Sequence, residues 1–238
     1  FNKHAFILIG GQSSGKTYFT RWLCPDPLKD YLTENINNDK DSLIALSENF
    51  FIILDELAGL IKKEINALKS IFTKDRVKVR RPYDRKATST IRRANFFGST
   101  NKEEFLSDET GSVRWLCFKI ESIDFDYSKL INKDCIWSQA YHLYNNGFEY
   151  ELTREERLEN EIINATHQNS TQEIELIQMH YQPSSEALGG KFVAATDILY
   201  RLNDQYGFGI RITNVGIGKA LTFLNFERVS RKPEKGPF

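Results

Sequence analysis

Ala5-Phe6-Ile7-Leu8-Ile9 is an unbroken apolar run with glycines directly after it, the pattern of a parallel strand buried on both faces. Past Lys16 the apolar positions Phe19, Trp22 and Leu23 recur at helical spacing until Pro25 stops them. A weaker strand is predicted around Tyr31 to Ile36, with Asp39 as N-cap of a short helix through Leu46. Phe50-Phe51-Ile52-Ile53-Leu54 is a second fully buried strand. Leu57, Leu60, Ile61, Ile65, Leu68 and Phe72 then follow at i, i+3, i+4 intervals, giving another strand-to-helix unit. Further buried strands are predicted at Ala94 to Gly98 and Val113 to Ile120, and a helix over about 130–145 closed by Gly147. Strands alternating with helices imply the α/β class, a parallel sheet with helices packed on it.

Thr153 with Glu156 and Ser170 with Glu173 each have the form of a capping box, so two further helices are expected to start there. Beyond Ser170 the pattern shifts to short helices, Ile174 to Tyr181, Ala195 to Leu202 and Thr213 to Leu224, ahead of a Lys/Arg-rich tail. That shift predicts three parts: a large domain over 1–150, a connecting helix over 151–170 and a small helical domain over 171–238.

Composition adds limits. With 40% hydrophobic residues, 17 Phe and 10 Tyr the chain can build a sizeable core, which argues against disorder. Lys and Arg number 32 against 32 Asp and Glu, so the overall charge offers no argument for a polyanionic partner. Cys24, Cys117 and Cys135 sit in apolar segments without C-x-x-C spacing, and are expected as buried free thiols in a reducing compartment. They and the four histidines show no zinc-ligand spacing. No apolar run approaches the roughly 20 residues that span a bilayer, and no signal peptide is visible, so the expected location is cytoplasmic with no membrane partner. A start at Phe1-Asn2-Lys3 without Met reads as the C-terminal part of a longer protein.

The chemistry concentrates after the first strand. Gly10-Gly11-Gln12-Ser13-Ser14-Gly15-Lys16-Thr17 satisfies G-x-x-x-x-G-K-[ST] between a predicted strand and a predicted helix, the context this motif requires. Its glycines let backbone N–H groups and the helix N-terminus face the phosphates of ATP, with Lys16 on the terminal phosphates and the Thr17 hydroxyl on Mg2+. The alternative is a plain Gly-rich turn. Hydrolysis needs an acidic site at the end of a neighbouring strand, and Asp55-Glu56 follows the second one. Asp55 would hold the magnesium and Glu56 would act as general base on the attacking water. As an alternative, the pair caps the helix that follows.

Gly98-Ser99-Thr100-Asn101 ends the third strand, where ligands of open α/β sheets bind, so Asn101 is a candidate for orienting the water near the γ-phosphate. Taken alone, Thr-Asn after a strand is more often just a turn. Arg114 precedes the last strand; such an arginine is usually a surface residue, yet in an oligomer it could reach a neighbour's nucleotide as an arginine finger.

Between Lys74 and Arg93 lie nine basic residues against two acidic ones, a local charge of +7 in a neutral chain. Arg76, Lys78 and Arg80 alternate with Val77 and Val79, and Pro82-Tyr83-Asp84 breaks the run, which predicts a β-hairpin with one basic face. Lys78, Arg80 and Arg81 are candidates for nucleic-acid backbone contact, with Tyr83 able to stack on a base. A merely solvated charge run is the alternative.

Taken together these segments resemble the virulence-associated protein E-like ATPases and related phage primase-helicases, in the superfamily 3 helicase branch of AAA+ proteins. The resemblance covers most of the chain. Besides residues 10–17 and Ile53-Leu54-Asp55-Glu56-Leu57, it rests on Leu68-Lys69-Ser70-Ile71-Phe72 followed by Arg80-Arg81-Pro82-Tyr83. It rests equally on Phe97-Gly98-Ser99-Thr100-Asn101-Lys102-Glu103-Glu104-Phe105-Leu106 and Thr110-Gly111-Ser112-Val113-Arg114-Trp115, segments more specific than the glycine-rich loop.

What the resemblance implies is an AAA+ motor driven by ATP and Mg2+, a homo-oligomer in a hexameric ring. It would translocate on single-stranded DNA and unwind duplex during replication of a phage or mobile element, beside a primase domain or protein. It assigns Lys78, Arg80, Arg81 and Tyr83 to DNA, Asn101 to the sensor and Arg114 to the finger. The family often carries two consecutive arginines after the Thr-Gly, and here Val113 takes the first place, so Arg92 or Arg93 could share the finger's role. The small C-terminal domain, followed by Arg228, Arg231, Lys232 and Lys235, then looks like a winged helix-turn-helix in which the wing carries the charge. A packing module without DNA contact has the same spacing. Two other functions stay open: a nucleotide-dependent switch or assembly ATPase, which would not need the +7 hairpin, and a small-molecule kinase, which Asn101 and Arg114 disfavour.

Overall fold

The computed structural model describes residues 1–36, 39–60, 62–106, 113–185, 188–207 and 211–229. The Thr110-Gly111-Ser112 part of the finger motif and the basic tail residues Arg231, Lys232 and Lys235 lie outside them. The chain divides into two units, Phe1–Asn169 and Ser170–Phe238.

In the first unit, strand β1 (Ala5–Ile9) runs into the glycine-rich loop and helix α1 (Lys16–Leu23), and a 3-10 turn over Asp26–Tyr31 leads to the short strand β2 (Leu32–Glu34). Helix α2 (Lys40–Glu48) starts on Asp39, whose carboxylate accepts from the Ser42 N–H at 2.8 Å. Strand β3 (Phe51–Leu54) and helix α3 (Lys62–Phe72) follow, then β4 (Arg76–Val79), β5 (Thr88–Ile91), β6 (Asn95–Thr100) and β7 (Trp115–Lys119). Helices α4 (Tyr127–Leu130), α5 (Lys133–Asn145) and α6 (Arg154–Thr166) complete the unit.

Five strands form one parallel sheet in the order β2-β3-β6-β1-β7. Of its interior strands, β1 and β3 are apolar along their whole length because both faces are covered, and Phe51 through Leu54 are all buried. Ile7, Phe72, Phe96 and the fully buried Trp115 join in one core, with Trp115 edge-on to the Phe72 ring at 5.0 Å. Cutting a ring of that size to alanine costs about 3–5 kcal/mol, which places much of the fold's stability at this cluster.

Several boundaries differ from the sequence reading. β6 extends two residues past Gly98, because Thr100 pairs with Ile9 and its carbonyl accepts from the Gly10 N–H at 3.2 Å. Ser99 and Thr100 are therefore buried strand residues that continue past the expected end at Gly98. After β3 the chain makes a 3-10 turn over Leu57–Gly59 before α3, since Leu60 is extended and breaks the helical run. The helix expected from Ser170 is α7 (Gln172–His180), capped one residue later by Thr171. Glu173, the expected box partner, turns its carboxylate to the Thr213 N–H at 3.3 Å instead. The Thr153–Glu156 box at α6 is complete.

Helix α6 packs on β7. Asn160 and Asn164 donate to the carbonyls of Val113, at 3.4 Å, and Trp115, at 2.9 Å. Cys24 and Cys117 are buried, and burial pushes the Cys117 thiol up to about 12. Cys135 departs from expectation by being exposed, on a helix α5 with no buried residue. Among the described residues no helix is long and apolar enough to cross a membrane.

The second unit holds α7, α8 (Ala195–Tyr206) and α9 (Asn214–Phe223) around Leu176, Ile177, Ile198, Leu202, Ile217 and Ala220. Thr213 caps α9 through the Gly216 N–H at 2.9 Å.

Candidate functional site

The loop after β1 is shaped by backbone conformations that few side chains tolerate. Gly15 takes φ 84°, and a Cβ at Gly10 would stand 2.6 Å from the Ile120 carbonyl oxygen, so both positions require glycine. The loop curls back over the N-terminus of α1. Lys16 is buried, and its ammonium donates to the Gly10 carbonyl at 2.9 Å, the Gly11 carbonyl at 2.6 Å and the Ser14 hydroxyl at 3.0 Å. Burial lowers its pKa below the ordinary lysine value, while the charge of Asp55 opposes that shift. Gln12, Ser13 and Ser14 complete the curve, with Ser13 at φ 60°.

β3 delivers Asp55 to the same end of the sheet. The Thr17 hydroxyl donates to Asp55 Oδ1 at 3.2 Å and lies 3.3 Å from the Ser99 hydroxyl, which also donates to Asp55 Oδ1. A hydroxyl from α1, a hydroxyl from β6 and a carboxylate from β3 thus converge beside the loop. That set of hard oxygen donors next to the glycine-rich loop suits Mg2+, which takes one or two carboxylates and completes its shell with other oxygens and water. Asp55 is held in turn: its N–H donates to Asn35 Oδ1 at 3.1 Å, and its Oδ1 also accepts from the Glu56 N–H at 3.1 Å. Glu56 adopts a left-handed backbone, φ 53°, and is exposed, so its carboxylate is turned away from the core at a strained position.

Sequence reasoning selected Asn101 from this region and missed Ser99 and Asn35. Asn101 is exposed one residue beyond Thr100, at the loop's end of the sheet. The signal that could have found Ser99 is strand register: Leu54 pairs with Gly98, so the next residue on each strand, Asp55 and Ser99, are neighbours.

Arg114 sits elsewhere. It precedes Trp115, which pairs with Ala5, and its carbonyl accepts from the Ala5 N–H at 2.8 Å. The length of β1 separates it from Gly10, about 16 Å at roughly 3.3 Å per residue, so it is not placed to serve the loop of its own chain. Arg92 is excluded from the finger's role, because it is buried with Nη1 on the Phe72 carbonyl at 2.8 Å and its guanidinium over the Phe96 ring at 5.3 Å. Burial lowers its pKa to about 10. Arg93 is exposed.

β4 and β5 form the expected antiparallel hairpin, with Val77 and Val79 buried and Arg76 and Lys78 exposed on the other face. It springs from the end of the sheet opposite the loop, since Arg92 N–H bonds the Asp75 carbonyl just before β6 begins. Arg80 and Arg81 are exposed, and Arg81 pairs with Glu48 at 3.2 Å in an ion pair open to water. Such pairs contribute about 0–1 kcal/mol, so a phosphate can displace the carboxylate. Tyr83 projects fully into solvent from a left-handed turn, φ 67°.

A cavity of about 540 Å3 beside α1 is lined by Tyr18, Arg21, Trp22, Lys29 and Lys133 among others. There Lys133 and Lys29 each reach Asp26 at 2.7 Å and hold its carboxyl down to about 2. None of its lining residues belongs to residues 10–17 or the acidic pair.

The virulence-associated protein E-like domain matches this chain over residues 2–169. No curated protein matches it. Among solved structures, it is similar to the apo structure of the NrS-1 C-terminal region (305-718), at 15% identity and TM-score 0.46, covering 94% of this chain and 54% of that one. It is also similar to the A form apo structure of the NrS-1 C-terminal region, at 17% identity and TM-score 0.43, covering 85% and 48%. A further A form apo structure of that region (305-718) matches at 16% identity and TM-score 0.38, covering 70% and 34%. The chain spans between about a third and about half of the length of these structures.

Proposed function

Since the chain belongs to the virulence-associated protein E-like domain family, we propose that it is the motor of an ATP-dependent DNA helicase, a DNA-stimulated ATPase serving replication of a phage or mobile genetic element. The observation that carries this reading is the meeting of Thr17, Ser99 and Asp55 beside the Lys16 loop, brought together because β6, which supplies Ser99, lies between β1 and β3 in the sheet.

In this reading residues 10–17 bind the triphosphate through backbone N–H groups, and Lys16 exchanges its three internal acceptors for phosphate oxygens. Thr17 and Asp55 hold magnesium, which when bound neutralises charge on the β- and γ-phosphates. Ser99 orients the Asp55 carboxylate. Glu56, exposed and next in the chain, takes the proton of the attacking water, and Asn101 orients that water from the end of β6. The offset of Arg114 from its own loop supports action on a neighbour's nucleotide, and with it a closed ring, hexameric in this proposal.

Lys78, Arg80, Arg81 and Tyr83 contact single-stranded DNA through charge and stacking. The placing of the hairpin at the opposite end of the sheet supports a division between fuel and track. The second unit, Ser170–Phe238, serves as a winged-helix-like module, following α6, which belongs to the first unit rather than to a separate connector over 151–170, and a primase domain or protein works beside the motor. The deciding experiment measures ATP hydrolysis with and without single-stranded DNA. Stimulation is expected; hydrolysis indifferent to DNA would favour an assembly ATPase acting on proteins.

A further inference from the structure

We propose that Phe125 is the stacking platform for the base of the bound nucleoside triphosphate, an inference that rests on the nucleotide-binding reading of residues 10–17. The segment between β7 and α4 is tied to the loop at one end and to α1 at the other. Ile120 donates its N–H to the Ile9 carbonyl at 2.7 Å, and its own carbonyl oxygen lies so close to Gly10 that a Cβ there would be 2.6 Å away. At the other end Tyr127 is buried edge-on against Phe19 and Trp22 of α1, with centroids at 5.2 Å and 4.8 Å. An inner turn fixes the middle, where the Asp126 N–H donates to Asp124 Oδ1 at 2.9 Å.

Between these anchors the Phe125 ring lies against Gly15. A Cβ built on that glycine would meet ring carbons at 2.7 and 3.0 Å. Yet Phe125 as a residue is 60% exposed, so the side chain rests on the loop without being covered by it. An apolar ring held half open by a pinned segment against Gly15 of the loop offers a flat face on which a planar ligand can stack. The nucleotide supplies one. The loop cradles the phosphates with its backbone and Lys16 reaches the terminal ones, so the nucleoside leaves near the start of α1, beside Gly15, Thr17 and the exposed Tyr18. A bare ring presents its face to any base, so the platform takes the purine of ATP or GTP alike.

Equilibrium binding of magnesium ATP and of magnesium tripolyphosphate, which has phosphates without a base, tests this on four chains: wild type, Phe125→Ala, Phe125→Leu and Phe125→Trp. Wild type is expected to bind both ligands. The Ala and Leu chains should bind ATP about tenfold more weakly, a typical loss when an aromatic platform is removed from under a base, with tripolyphosphate unchanged. Leu keeps bulk beside Gly15 and loses only the ring, while Trp should restore ATP affinity. Equal losses for the two ligands would overturn the proposal by making the ring a prop for the loop, and unchanged ATP affinity in the Ala and Leu chains would place the base elsewhere. A wild-type chain binding tripolyphosphate but showing either result loses the platform alone; one that binds neither ligand loses the nucleotide reading and the platform together.

Discussion

Ser99 hydrogen-bonds Asp55 across the neighbouring strands β6 and β3, although 44 residues separate them in the chain. The same carboxylate oxygen accepts from Thr17, so one atom of Asp55 collects the ends of three elements. Replacing Ser99 with Ala removes the hydroxyl that aims this oxygen while leaving the strand's backbone pairing in place. The expected outcome is intact folding with turnover lowered by roughly 10–100-fold, the usual loss when a partner of a metal-binding group is removed. Hydrolysis rates measured across a magnesium titration check it, and rates equal to wild type at every concentration would remove Ser99 from the site.

Lys16 and Glu56 should separate binding from chemistry. Lys16→Ala is expected to abolish nucleotide binding or hydrolysis. Glu56→Gln should bind ATP normally and lose about 10²–10⁴-fold in turnover, the range for a general base. Single-turnover kinetics beside equilibrium binding distinguish the two, and near-normal hydrolysis by Glu56→Gln would sink its assignment.

The basic face of the hairpin makes a prediction about salt. Changing Lys78, Arg80 and Arg81 to Ala should weaken single-stranded DNA binding and flatten its dependence on salt, by about 0.7 in logarithmic slope for each phosphate no longer neutralised. ATP binding should survive, because the hairpin stands at the other end of the sheet from the loop. An unchanged slope would make this a solvated surface.

How much of this was legible depended on whether the cause was local. Glycines at Gly10 and Gly15, the Thr153 box and the alternation of Val77 and Val79 with basic residues each follow from neighbours in the chain, and each is visible in sequence. Ser99 and Asn35 were not, because their roles come from strand register and from a partner 20 residues away. Arg92 shows the same limit in reverse. As one more cation in a basic run it looked available, and only packing against Phe96 and the Phe72 carbonyl reveals a structural arginine. Thr171 rather than Ser170 caps α7 because the acid that would close the box is drawn away to Thr213.

The position of Arg114 leads to a mixing test. Arg114→Ala should leave nucleotide binding nearly intact and cut turnover by about 10³-fold if it acts as an arginine finger. Combining Glu56→Gln subunits, which keep the arginine, with Arg114→Ala subunits, which keep the general base, should restore some hydrolysis where an intact pocket meets an intact finger. Mixed rings that form and remain as inactive as either mutant would assign Arg114 to its own chain or to packing.

The two amides that α6 lays along β7 bear on how copies of this protein can meet. Carbonyls of Val113 and Trp115 point away from β1, toward the side where a sixth strand would add, and Asn160 and Asn164 occupy both. The opposite border of the sheet, β2, is only three residues long. A raw strand border is a template on which other chains polymerise, and short borders or covered ones remove it. A second copy of the chain would find little raw backbone to pair with at β2 and at the start of β7, so contact at these flanks would be made by side chains, which can part and re-form where a continuous ladder could not.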